Sequence, residues 1–123
     1  ARLGGLPGKI EFAASKNGWT PDQDFPTTLD AADPSAVTVT WSDLAPQGGK
    51  GRAIRAKDQV KIDLDGLEGG KLSPGKPAHL KAKVYVGGDT PPGKYAGKAT
   101  VTVKSADGRQ SVKDIPVELT VTR

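Results

Sequence analysis

Apolar and polar residues alternate with a period of two along most of the chain, as extended segments with one buried face require. GKIEFAAS places Ile10, Phe12 and Ala14 on one side, with Lys9, Glu11 and Ala13 on the other. In AVTVTWSDL, Val37, Val39 and Trp41 face one way and Thr38, Thr40 and Ser42 the other. QVKIDLDGL turns Val60, Ile62 and Leu64 inward and Lys61, Asp63 and Asp65 outward. AHLKAKVYVGG does the same with Leu80, Ala82, Val84 and Val86 against His79, Lys81, Lys83 and Tyr85. Two further runs follow, Tyr95 to Lys104 and Val112 to Thr122, joined by the hairpin turn SADGRQS. Pro116 falls on the outward side of the last run, where the missing N–H predicts an edge or a bulge.

The stretches between these runs read as turns. Residues 16 to 35, with three prolines and four aspartates and no sustained period, predict a long loop with at most one short edge strand. GKGRAIRAK, residues 49 to 57, predicts a flexible connector with a short strand around Ala53 to Ala56. No window carries an apolar stripe at helical spacing. The pattern predicts an all-β, two-layer antiparallel sandwich of about seven strands in a single domain, residues 1 to 123.

Composition narrows the chemistry. The 123 residues contain no cysteine, so disulfides, thiol catalysis and zinc-thiolate or iron-sulfur sites are excluded, and packing alone must hold the core. Methionine is absent too, and a chain starting ARLGG reads as a processed N-terminus or an excised domain. No apolar run approaches the roughly 20 residues of a membrane helix. The net charge of +4 is uneven: residues 1 to 48 carry 3 basic and 6 acidic side chains, the remainder 15 and 8.

PPGKYAGKATVTV, residues 91 to 103, joins a stiff corner to a long alternating run. Pro92, Gly93, Tyr95 and Gly97, followed by Val101 and Val103, resemble the proline-glycine-x-tyrosine hairpin near the end of bacterial immunoglobulin-like domains, found in surface-fibre subunits and accessory domains of secreted proteins. The resemblance implies an immunoglobulin-like sandwich outside the bacterial cytoplasm, in the periplasm, at the cell surface or secreted. It also implies a tyrosine whose hydroxyl returns to the backbone of the preceding corner, the role that Tyr95 is placed to fill. The cysteine pair of antibody-type domains is missing.

Few residues are arranged for reaction chemistry. His79 is the only histidine, and none of the six serines lies in a G-x-S-x-G elbow. DLDGLE echoes the start of a calcium loop without completing it, and Asp63 and Asp65 are better explained as outward residues ending a strand at a Gly66 turn. No cofactor is implied. The binding candidates are Lys50, Arg52, Arg55 and Lys57 in the basic connector, and Lys81, Lys83 and Lys98, which with Lys94 are predicted to share the outer face of one hairpin. Lysines of this kind also guard sheet faces and edges against aggregation without any ligand. Trp19, with Phe25 close by in sequence, is a candidate stacking platform for a sugar ring or a cap on the core. Trp41 is predicted to be core.

These readings point to a non-enzymatic structural or adhesive module whose partner is another protein or a neighbouring subunit, including one that lends a strand. The alternative is an accessory module binding carbohydrate or an anionic polymer. Nucleic acid is disfavoured, because interleaved exposed aromatics are missing.

Overall fold

The computed structural model describes residues 2–48 and 52–122. Eleven strands are present among them: β1 (Arg2–Gly4), β2 (Ile10–Ala14), β3 (Gly18–Trp19), β4 (Gln23–Asp30), β5 (Ser35–Trp41), β6 (Ala45–Pro46), β7 (Val60–Asp65), β8 (Lys71–Leu72), β9 (Pro77–Val86), β10 (Gly93–Lys104) and β11 (Gln110–Val121). They form two sheets. In the first, β4 lies between β1 and β9, and β7 and β3 also pair with β9. In the second the order is β2-β11-β10-β5-β8, with β6 against β10. The fold is the expected immunoglobulin-like sandwich.

The inward sets anticipated from the alternation fill the space between the sheets. Ile62, Leu80, Val84, Val86, Ala99, Val101, Ile115, Val117 and Leu119 are all buried. Burying an aliphatic side chain of this size contributes about 1.5–3 kcal/mol, so these rows outweigh any surface ion pair. Thr27, also buried, donates its hydroxyl to the Ala78 carbonyl at 3.1 Å, so its polar atom is satisfied inside the core.

Residues 16–35 correct the sequence reading, because most of the expected loop is strand. Trp19 faces Tyr85 and Gln23 faces Ala82, so four steps along one strand match three along β9. One residue is extra, which makes β3 and β4 a single bulged strand. The bulge falls at Thr20 to Asp22, around Pro21, which has no N–H to offer. The Thr20 N–H donates to the Val84 carbonyl at 2.8 Å, and the Thr20 hydroxyl accepts the Val84 N–H at 3.0 Å. Pro26 lies just beyond the end of the β1 ladder, which stops at Gly4 opposite Thr28. Pro21 thus sits at the bulge and Pro26, paired with His79 of β9, lies free of β1 on its other side, while Pro34 falls between β4 and β5.

A second bulge separates β5 from β6. Trp41 faces Ala99 and Ala45 faces Ala96, again four steps against three. The displaced residues lean over Gly97, where an added Cβ would lie 2.5 Å from the Asp43 carbonyl oxygen and 2.8 Å from Leu44 Cδ2. Gly97 is therefore required by space. Leu44 beyond the bulge is buried and bridges to Ile54, itself buried, with reciprocal N–H to carbonyl bonds of 2.8 Å. The basic connector is thus anchored at Ile54 by a single bridge, within the stretch Ala53 to Ala56 where a short strand was expected. Trp41 is half-buried and donates its indole N–H to the Ala56 carbonyl at 2.8 Å.

The first two strands also depart from a purely antiparallel plan. β1 pairs with β4 in one sheet, whereas β2 runs parallel to β11 in the other, Ile10 opposite Val117 and Ala14 opposite Val121. The link Gly5 to Lys9, five residues outside either ladder and including Pro7, carries the chain across. At the corner before β10, Tyr95 is buried and its hydroxyl donates to the Pro91 carbonyl at 2.6 Å. Gly93 has φ of +142°, a conformation that side chains resist.

Gly97→Ala is expected to destabilise the fold by about 1–3 kcal/mol through overpacking against the bulge, read as a lowered midpoint in guanidinium unfolding. Tyr95→Phe is expected to cost roughly 1 kcal/mol by orphaning the Pro91 carbonyl, with near-native circular dichroism.

Candidate functional site

The candidate residues do not gather into one basic face. Lys81 and Lys83 belong to β9 in the first sheet, while Lys94 and Lys98 belong to β10 in the second. The chain changes sheets between those strands, so they are not the two arms of a hairpin. Lys98 instead approaches Asp114 at 3.8 Å. Lys81 is 3.4 Å from Asp65. Lys57 is exposed in the turn before β7. Lys50 lies outside the described residues.

A coherent surface forms elsewhere, on the outer face of the first sheet. The bulge at Thr20 to Asp22 reverses the direction of side chains along the strand: Trp19 points out, whereas Phe25 packs half-buried against the core. An even spacing of six would otherwise have put both rings on one side. Trp19 is 47% exposed and meets Tyr85, 38% exposed, edge to face with centroids 5.5 Å apart and planes at 64°. The Lys83 Nζ sits 4.7 Å from the Trp19 ring centroid, within cation–π range. Lys61 stands directly opposite Lys83 in the β7–β9 ladder.

Two concavities flank this aromatic pair. On one side a hollow of 150 Å³ is lined by Asp22, Lys61, Asp63, Asp65, Lys81 and Lys83. On the other a groove of 600 Å³ runs between residues 52–59 and 85–91, with Arg52, Arg55, Asp58, Gln59, Tyr85 and Asp89 among its walls. Arg55 holds Asp58 at 2.6 Å, and Gln59 accepts the Tyr85 N–H on its carbonyl at 2.7 Å, which ties the groove wall to the strand bearing the aromatic pair. Arg52, Arg55, Trp19 and Lys83 therefore do share a region, although the sequence placed them in separate loops and strands. Tyr85, Asp22 and Lys61 complete it. The outward positions of Tyr85 and Lys61 were legible in the alternation, whereas Asp22 fell in the expected loop, and the adjacency of all three depends on a register that alternation does not specify.

His79 lies on the same face, its Nδ1 2.8 Å from Asp24 Oδ1. Asp63 approaches Lys61 at 3.9 Å. The carboxylates of DLDGLE thus face lysines across and along the strands.

Away from this surface, two electrostatic devices secure the edges. Lys9 lies 2.9 Å from Glu118 and 3.0 Å from Glu11, a pair of carboxylates brought side by side by the parallel ladder. Its hydrogen bonds, to Glu118 first and then to Glu11, raise the ammonium pKa above its ordinary value. In the turn before β11, the Ser105 hydroxyl and then the Arg109 N–H hold the Asp107 carboxyl below its usual range.

No protein-family model and no curated protein matches the chain. Solved structures do. A family 123 glycoside hydrolase from Clostridium perfringens superposes with TM-score 0.73 at 14% identity, over 94% of this chain and 23% of the enzyme. The chain thus spans less than a quarter of that protein. The seventh PapD-like domain of human CEP192 superposes with TM-score 0.72 at 11% identity, over 99% of this chain and 84% of that one. The CssB subunit of colonization factor CS6 from enterotoxigenic Escherichia coli, complemented with a donor strand from CssA, gives TM-score 0.60 at 17% identity over 98% and 96%. At these identities the likeness is one of fold: an immunoglobulin-like or PapD-like sandwich.

Because the folded-state pKa of Lys9 is raised, its stabilisation is full below the unfolded-state value and is lost as pH rises through the folded one. Lys9→Met is accordingly expected to lower the urea midpoint at neutral pH, with the difference from wild type vanishing above the lysine titration range.

Proposed function

We propose that the chain is a non-enzymatic structural or adhesive module acting outside the bacterial cytoplasm, through contact with another protein or a neighbouring subunit. The supporting observation is the end-to-end likeness to the CssB subunit of a colonization factor, over 98% of this chain and 96% of that subunit. In that subunit a strand from a second protein completes the fold. Here β11 pairs with β10 over twelve positions, from Gln110 opposite Lys104 to Val121 opposite Gly93, so this sheet is filled from within the chain. Contact with a neighbour would then use finished surfaces.

The strand edges fit that reading. Among the described residues, none pairs with Gln110 to Asp114 of β11 on the side where β2 pairs from Val117 onward. Lys113, opposite Val101, occupies an inward-facing position on this open half, a device that blocks edge-to-edge addition. β7, at the border of the first sheet, carries Lys61, Asp63 and Asp65 along its outer face.

An antibody raised against the folded domain is expected to label intact cells of the bacterium that encodes it, with the signal removed by external protease. Labelling confined to permeabilised cells would overturn the proposal.

A further inference from the structure

We propose that the Trp19–Tyr85 corner is the central platform of a binding track for a neutral, extended polysaccharide of β-1,4-linked hexopyranose units. The track goes beyond the module's structural role, and its chemistry stands whether or not the domain assembles with neighbours. Trp19 and Tyr85 are the exposed aromatic rings among the described residues, and they touch. Their 64° angle makes one stacking shelf with an upright side wall. Two successive bases of a single-stranded nucleic acid need parallel shelves, whereas one pyranose ring needs a single indole face.

Charge decides between a neutral and an anionic polymer. The hollow presents three lysines and three aspartates, Lys61, Lys81 and Lys83 against Asp22, Asp63 and Asp65. The described walls of the groove add Arg52 and Arg55 against Asp58 and Asp89. The sum over both is zero, so a polyanion gains no net attraction from the track. Interleaved fixed donors and acceptors instead match sugar hydroxyls, each of which donates and accepts. The hollow, the aromatic corner and the groove follow one another past Lys83 and Tyr85, neighbouring outward positions of strand β9. An extended ribbon polymer can occupy all three. Lys83, resting over Trp19, is held there only by an exposed cation–π contact and yields readily to an incoming ring.

The test is isothermal titration of the purified domain with cellohexaose, mannohexaose and chitohexaose, beside polygalacturonate and poly-L-glutamate at matched chain length. Binding of at least one neutral hexasaccharide in preference to both polyanions is expected. Trp19→Ala should weaken it by roughly tenfold or more, Trp19→Phe should keep part of it, and Lys83→Gln and Asp22→Asn should each weaken it less. These three side chains are exposed or half-buried, so thermal melts of the four variants should match wild type. Binding of none of the three hexasaccharides at millimolar concentration, stronger binding of a polyanion, or full affinity in Trp19→Ala would each overturn the proposal.

Discussion

The ladder between β10 and β11 positions nearly everything else in the molecule. It supplies Tyr95, Ala99, Val101, Ile115, Val117 and Leu119 to the core, and its two outer sides receive β5 and β6 on one flank and β2 on the other. The Tyr95 hydroxyl fixes the corner from which the ladder starts. Apolar burial of this extent cannot be replaced by the surface ion pairs, each of which contributes no more than about 1 kcal/mol. Packing between sheets is the constraint, and the charged residues are arranged within what it permits.

That constraint also explains what could be read from the residues alone. β5, β7, β9, β10 and, from Ile115 onward, β11 follow the alternation because each keeps one face on the core there. β4 was illegible for a different reason. Its buried pair Thr27 and Leu29 is short, one member is polar, and Pro21 and Pro26 bracket the approach, so the local signals all favour a loop while tertiary pairing with β1 and β9 makes it a strand. Ile54 lies in the expected short strand around Ala53 to Ala56, but a single apolar residue among basic neighbours carries no period from which its burial against Leu44 could be read.

The candidate surface was legible in its parts and not in its assembly. Trp19, Arg52, Arg55 and Lys83 are polar or aromatic residues in unpatterned or outward positions, which marks them as exposed. Whether they meet depends on a one-residue offset at Thr20 to Asp22 and on the partner strand chosen by β9. The predicted lysine hairpin failed for the same reason, since sequential strands were assumed to be neighbours and β9 and β10 lie in different sheets.

The parallel pairing of β2 with β11 has a mechanical side. A pull entering the chain ahead of β2 and leaving beyond β11 drags these two strands in opposite directions along their common axis. Their cross-strand hydrogen bonds, continued by the Thr122 N–H to the Ala14 carbonyl at 2.9 Å, then share the load and must fail together instead of unzipping one by one. Tension between those two points therefore loads the β2–β11 seam in shear.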